Sequence, residues 1–216
     1  MNNLVKQILI LSTSIEESKS LSLAINKISN TFIYRWIDLE NLIIDLNSFD
    51  GLIITGHENN VETNGTTVNI PDYIFRITKE ALDLNLSILG INIGMHVINI
   101  VLGGLYPKTI KQNLKEDEGK REDIFVSPGS KLTSIIGYGG LMRICKSNMF
   151  GITVHEKSDL LRASAYSVNG GFVEAFESDE HDLVLGIQFD PFEPNIPPNF
   201  KNLLQSILNT QKEHSL

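Results

Sequence analysis

Residues 87–104 constrain this chain more than any other stretch. They read Ser-Ile-Leu-Gly-Ile-Asn-Ile-Gly-Met-His-Val-Ile-Asn-Ile-Val-Leu-Gly-Gly. Ile88, Leu89 and Ile91 form a short apolar run that predicts a buried strand. Asn92 ends the run. The pattern from Ile93 to Leu102 then predicts an apolar helix closed by Gly103 and Gly104. A strand that stops at one polar residue and turns at once into a helix has the layout of a nucleophile elbow. Such a turn pushes one side chain into the crevice at the carboxyl end of a sheet, where α/β folds place their ligands. Gly90 and Gly94 leave room for the backbone to double back.

The rest of the chain supplies the matching pattern. Residues 5–12, 31–37 and 50–56 predict strands, and 14–28 and 72–84 predict helices, with Ser14 and Glu17 at capping-box spacing. Residues 59–71 are polar and irregular, with a turn at Asn64-Gly65. Strands alternating with helices predict a doubly wound, mostly parallel sheet, a flavodoxin-like three-layer α/β/α arrangement. Residues 111–123 are charged and predict a surface loop. Beyond them come short β-like runs at 124–126, 131–135, 161–167, 172–177 and 183–189, with a hairpin signal at Asn169-Gly170-Gly171. A last helix is expected near 199–208, its start favoured by Pro197 and Pro198. The expectation is one domain over 1–216, with a β-rich C-terminal half folded back onto the sheet.

Bulk properties narrow the function. The chain has 216 residues, 42% hydrophobic and 20% charged, with a net charge of −8. That balance argues against nucleic-acid or anionic-membrane binding, which needs clustered Lys and Arg. The single cysteine, Cys145, cannot form an internal disulfide. It lies in an apolar β-like run and reads as a small core residue. Lys6 and Gln7 interrupt the N-terminal apolar residues, so no signal peptide is expected, and no run reaches the ~18 apolar residues of a membrane span. A cytoplasmic protein without a cofactor is expected.

The elbow residues Gly90-Ile91-Asn92-Ile93-Gly94-Met95-His96, with Leu102-Gly103-Gly104, resemble the class I glutamine amidotransferase superfamily. The branch they most resemble is that of the γ-glutamyl-γ-aminobutyrate hydrolases, whose elbow reads Gly-Ile-Cys-Arg-Gly-Met-Gln. Other stretches resemble the same family in the same order. Residues 50–57, Asp-Gly-Leu-Ile-Ile-Thr-Gly-His, look like its oxyanion strand and loop. Residues 127–132 look like its Pro-Gly-Ser-x-Leu segment, 170–175 like its Asp-Gly-x-Val-Glu-Ala strand, and 185–192 like its Leu-Gly-Val-Gln-Trp-His-Pro-Glu. The family hydrolyses γ-glutamyl amides with a Cys-His-Glu triad and backbone N–H groups that hold the oxyanion.

Carried over by position, the resemblance implies that this chemistry is gone. The nucleophile falls on Asn92, whose carboxamide cannot be activated as a thiolate can. The base falls on Asp190, which at an ordinary pKa near ~4 is a weak base and a poor proton donor at neutral pH. The orienting carboxylate falls on Phe192, with Glu193 one place out of register. In the oxyanion loop Gly56 remains and the next glycine is His57. The expected ligand-binding set is Gly56, His57, Asn92, Ile93, His96, His155 and Asp190. Its occupant would be a small γ-glutamyl or amino-acid ligand, or a protein would dock there. His155 also reads as a plain surface or hydrogen-bonded histidine. The alternative is a hydrolase with replaced chemistry, using Asp190 with His57, His96 or His155. His57, His96 and Asp190 could then act as a metal set.

Overall fold

The computed structural model describes residues 6–25, 29–40, 42–57, 68–110, 121–145, 149–191, 196 and 198–209. Its centre is a nine-stranded sheet whose first five strands are parallel. In chain order these are β1 (Lys6–Ser12), β2 (Ser29–Arg35), β3 (Gly51–Gly56), β4 (Ser87–Asn92) and the late-arriving β11 (Val184–Ile187). Across the sheet they stand β2-β1-β3-β4-β11. The sheet then continues antiparallel through β10 (Val173–Ser178), β9 (Leu161–Ser167), β6 (Arg121–Val126) and β7 (Gly140–Cys145). A separate two-stranded piece joins β5 (Lys108–Thr109) to β8 (Phe150–Gly151).

The parallel strands are apolar on both faces because both are covered. In β1, Leu9 and Leu11 point into one core and Ile8 and Ile10 into the other. The first core is closed by α2 (Asp72–Asp83) and α3 (Ile93–Val101). The second is closed by α1 (Ile15–Ile25), α4 (Lys131–Ile136) and α5 (Asn202–Asn209). The result is three layers, helix over sheet over helix, as the alternating pattern predicts. Close approach is built into the glycines. A Cβ on Gly51 would stand 2.5 Å from the Ile207 side chain of α5.

Two local expectations are corrected. Residues 131–135 form a helix, not a strand. Ser130 caps it, its hydroxyl accepting from the Thr133 N–H at 3.0 Å, and Gly137 ends it in the left-handed region at φ 68°. The buried Glu177 carboxylate adds a second cap from β10. It accepts from the N–H groups of Lys131 at 2.9 Å and Leu132 at 3.1 Å. Secondly, the strand expected over 31–37 stops at Arg35, and Trp36–Asp38 form a single 3-10 turn. Residues 121–123 of the expected charged loop are part of β6, pairing with β7. Residues 111–120 and the Asn64-Gly65 turn lie outside the described residues.

Candidate functional site

The carboxyl ends of β1, β3, β4 and β11 lie side by side, and this edge collects the expected site residues. Ser12 pairs in register with Thr55, Gly56 with Asn92, and Ile187 with Ile91. His57 therefore follows the strand next to Asn92 on one side. Gln188, Phe189 and Asp190 follow the strand next to it on the other.

Asn92 turns the chain from β4 into α3 with φ 52° and ψ −114°. That combination lies outside the broad regions open to L-residues. Its side chain does not cap the helix it precedes. Surrounding packing holds the turn in place. A Cβ on Gly94 would lie 1.9 Å from the Ile54 carbonyl oxygen, and one on Gly90 would lie 2.4 Å from the Gly94 carbonyl oxygen. Any side chain at these glycines would push α3 off the sheet. Such strain survives only where the surroundings over-determine it, and it clusters at functional turns.

The loop after β3 is tied inward. The His57 backbone N–H donates to the Thr13 hydroxyl at 3.2 Å. Thr13 follows β1 directly, and its side chain fills the space a Cβ on Gly56 would need, 2.5 Å away. Sequence reasoning did not single out Thr13. Its signal was its place, immediately after the strand that neighbours β3.

The remaining expected residues spread in depth. His57 and Asn92 are half-buried, and Asp190 is exposed. Ile93 and His96 are fully buried in the first turns of α3. His155 is exposed in a tight turn, its N–H donating to the Thr153 hydroxyl. Phe192 and Glu193 lie outside the described residues. Among the described residues, no three His, Cys, Asp or Glu side chains are grouped to hold a metal ion.

The neighbour of His155 carries more structure than His155 itself. Glu156 is 2% exposed. Its carboxylate accepts from Lys108 Nζ at 2.5 Å, and from the backbone N–H and the hydroxyl of Thr153. Burial alone would raise this carboxyl. The hydrogen bonds from Lys108 and Thr153, with the Lys108 charge, outweigh it and hold the group down at about 2. Buried Asn99, on α3, completes the joint. Its Nδ2 donates to the carbonyls of Leu105 and Glu156, both at 3.0 Å, and its Oδ1 accepts from the Ser158 N–H at 2.8 Å. The 153–158 turn is thus fastened to the far end of the helix that the elbow begins.

Two open grooves of about 610 Å³ and 360 Å³ lie along α4, α5 and β7. None of the elbow residues lines either of them. Among the described residues, no helix is long and apolar enough to cross a membrane.

Comparison with solved structures places this architecture. A glutamine amidotransferase from Methylobacillus flagellatus is 11% identical, with 99% of each chain covered and a TM-score of 0.71. A GMP synthase subunit from Thermoplasma acidophilum is 16% identical, with 96% of each chain covered and a TM-score of 0.69. The glutaminase domain of Trypanosoma brucei CTPS, solved with bound acivicin, is 15% identical over 94% of this chain and 92% of that one, with a TM-score of 0.64. These likenesses give the fold, that of class I glutamine amidotransferase domains. No curated protein matches the chain in sequence. The family model described as Peptidase C26 matches residues 25–192, well over half of the chain. By that match the chain belongs to the Peptidase C26 family.

Proposed function

We propose that this chain has kept the binding frame of its family and lost the amide-hydrolysing chemistry. One observation carries the reading. The elbow retains its strained backbone, φ 52° and ψ −114°, but presents a carboxamide where hydrolysis needs a nucleophile. The tied loop supports it. An oxyanion donor must point at the reacting oxygen, and the His57 N–H is already given to Thr13 at 3.2 Å. Asp190, at the position of the base, is exposed and has none of the enclosure that tunes a carboxylate for proton transfer. The metal-assisted alternative is disfavoured, since no metal-binding group of side chains is formed among the described residues.

The retained role is binding at the carboxyl edge between His57, Asn92 and Asp190. The occupant is a small γ-glutamyl or amino-acid ligand, or a protein partner. The Thermoplasma protein is one subunit of its synthase, which favours a protein partner for this chain too. The whole of residues 1–216 would serve as one domain in that role.

The test is steady-state release of ammonia or amine from glutamine and γ-glutamyl amides. The parent and Asn92→Cys should both show no turnover above background. Asn92→Cys should nevertheless react with iodoacetamide, because the N-terminus of α3 lowers the thiol pKa. Turnover by the parent would overturn the proposal. A thermal-shift screen against glutamine and γ-glutamyl amides would then separate the two occupants. A small ligand at 100 times its Kd adds about 2.7 kcal/mol of stability.

A further inference from the structure

The elbow that displays a nucleophile in an active enzyme does something different when it holds an asparagine. The three heavy substituents of Cα are spaced evenly around the Cα–C bond. A ψ of −114° therefore swings the Ile93 nitrogen to the side of Asn92 that carries Cβ, so that the two nearly eclipse. Neither the helical nor the extended backbone does this. Only the side-chain torsion of Asn92 then separates the Ile93 nitrogen from Cγ. We propose that Asn92 is a site of intramolecular cyclisation, in which the backbone nitrogen of Ile93 attacks the Asn92 carboxamide carbon to form a succinimide.

The step balances without any outside oxidant or reductant. The Ile93 nitrogen gives up its proton to water and forms a bond to Cγ. The tetrahedral intermediate expels the carboxamide nitrogen, which takes a proton and leaves as ammonia. Water then opens the imide at one of its two C–N bonds. Cleavage at Cγ leaves aspartate at position 92. Cleavage at the main-chain carbonyl leaves an isoaspartyl linkage.

Several features favour the reaction here. Ile93 is the first residue of α3, so its N–H has no acceptor within the helix. The positive end of the helix dipole stabilises the anion that forms on the Asn92 oxygen. Asn92 is half-buried, so water can reach it. The turn cannot relax away from the reactive geometry, because Gly90 and Gly94 hold α3 against β3 and β4 with no spare room. Holding reactants in a near-attack arrangement removes the orientational entropy that a flexible chain must lose. In an unfolded chain the branched Ile93 side chain hinders approach to its nitrogen. In the folded protein that approach is already made.

The same packing selects the product. An isoaspartyl linkage adds a methylene to the main chain at a turn where even one Cβ on Gly94 would sit 1.9 Å from a carbonyl oxygen. Opening should therefore favour aspartate, or stall at the imide. Asn85 is the internal control. It too has positive φ, 50°, and it is exposed. The nitrogen that follows it, on Leu86, is engaged by the Ala81 carbonyl at 2.9 Å. Asn85 should keep its amide longer than Asn92.

The experiment ages the purified parent protein at mildly alkaline pH, natively and in urea, and maps its peptides by mass spectrometry. Hydroxylamine cleavage between residues 92 and 93 reports the imide. Native loss of the Asn92 amide should exceed loss from the unfolded chain by about tenfold or more. The products should be imide and aspartate, and Asn92→Gln should abolish both. Native loss equal to or slower than unfolded loss would overturn the proposal. So would isoaspartate as the main native product.

Discussion

Two helices of this molecule begin in opposite ways. α4 starts conventionally, with Ser130 at φ −78° and ψ 159°, its hydroxyl on the Thr133 N–H, and the Glu177 carboxylate on the N–H groups of Lys131 and Leu132. α3 starts at Asn92 with φ 52° and ψ −114° and no side-chain cap. The first helix is short and is held by hydrogen bonds at its entrance. The second has a strained entrance and is held by contact along its length and by Asn99 near its far end. Strain is thus confined to the turn where the family places its chemistry. It persists although a carboxamide now stands there. Packing, rather than capping, keeps the elbow in shape.

The largest effect should come from breaking that packing. Gly94→Ala places a methyl 1.9 Å from the Ile54 carbonyl oxygen, a main-chain atom that cannot step aside. Urea unfolding should show a loss of about 3 kcal/mol or more. A cost under about 1 kcal/mol would mean that α3 is free to shift and that the elbow is not packing-locked.

The far end of α3 depends on pH. The Glu156 carboxyl is held down at about 2, below its ordinary 4.5. A depressed carboxyl contributes stability that is fully present above 4.5 and is lost as pH falls from there toward 2. Glu156→Gln should therefore flatten the acid limb of the stability profile in that window. It should also lower stability at neutral pH by about 1–2 kcal/mol, because Thr153 and Lys108 lose a charged acceptor. Lys108 is largely exposed, so salt should trim its share. An unchanged acid limb would show that the 153–158 turn is fastened by Asn99 alone.

Ser130→Ala tests the conventional entrance. It removes a hydroxyl that accepts from the Thr133 N–H, and the expected cost is about 1 kcal/mol by thermal or urea unfolding. The effect should be smaller than that of Gly94→Ala, since Glu177 still serves the Lys131 and Leu132 N–H groups. A larger loss at Ser130 would reverse the contrast between the two helices.

The contrast also explains what could be read from sequence. The elbow was legible because its requirements are local: an apolar run, a polar stop, and glycines at 90 and 94 where no Cβ fits. The parallel sheet was legible for the same reason, since strands such as β1 must be apolar on both faces. α4 was misread because 131–135 is short and apolar, and its helical start depends on Glu177, 46 residues away. The Thr13–His57 contact spans 44 residues, and the Glu156–Lys108 contact 48. No spacing rule connects such pairs. His155 drew notice as a histidine beside a family segment, while the buried partner in that turn is Glu156.

The smallest expected effect is a gain. Asn92→Gly removes the Cβ that makes φ 52° with ψ −114° costly. Relief of such strain is worth about 1–3 kcal/mol. Glycine also widens the unfolded ensemble, which takes back about 0.5–1 kcal/mol. The net should be a stabilisation of about 0.5–1 kcal/mol in urea unfolding. Asn92→Ala keeps the Cβ without the tolerance of asparagine for positive φ, and it should be less stable than the parent. The ordering Gly over Asn over Ala is the signature of a turn held against its own preference. The matched change at the relaxed entrance, Ser130→Gly, should give no gain, because Ser130 is already extended and loses a cap. If Asn92→Gly is less stable than the parent, the asparagine side chain contributes more to the elbow than its backbone costs. Asn92 would then be a structural residue of the turn in its own right, and the turn would not be held by packing alone.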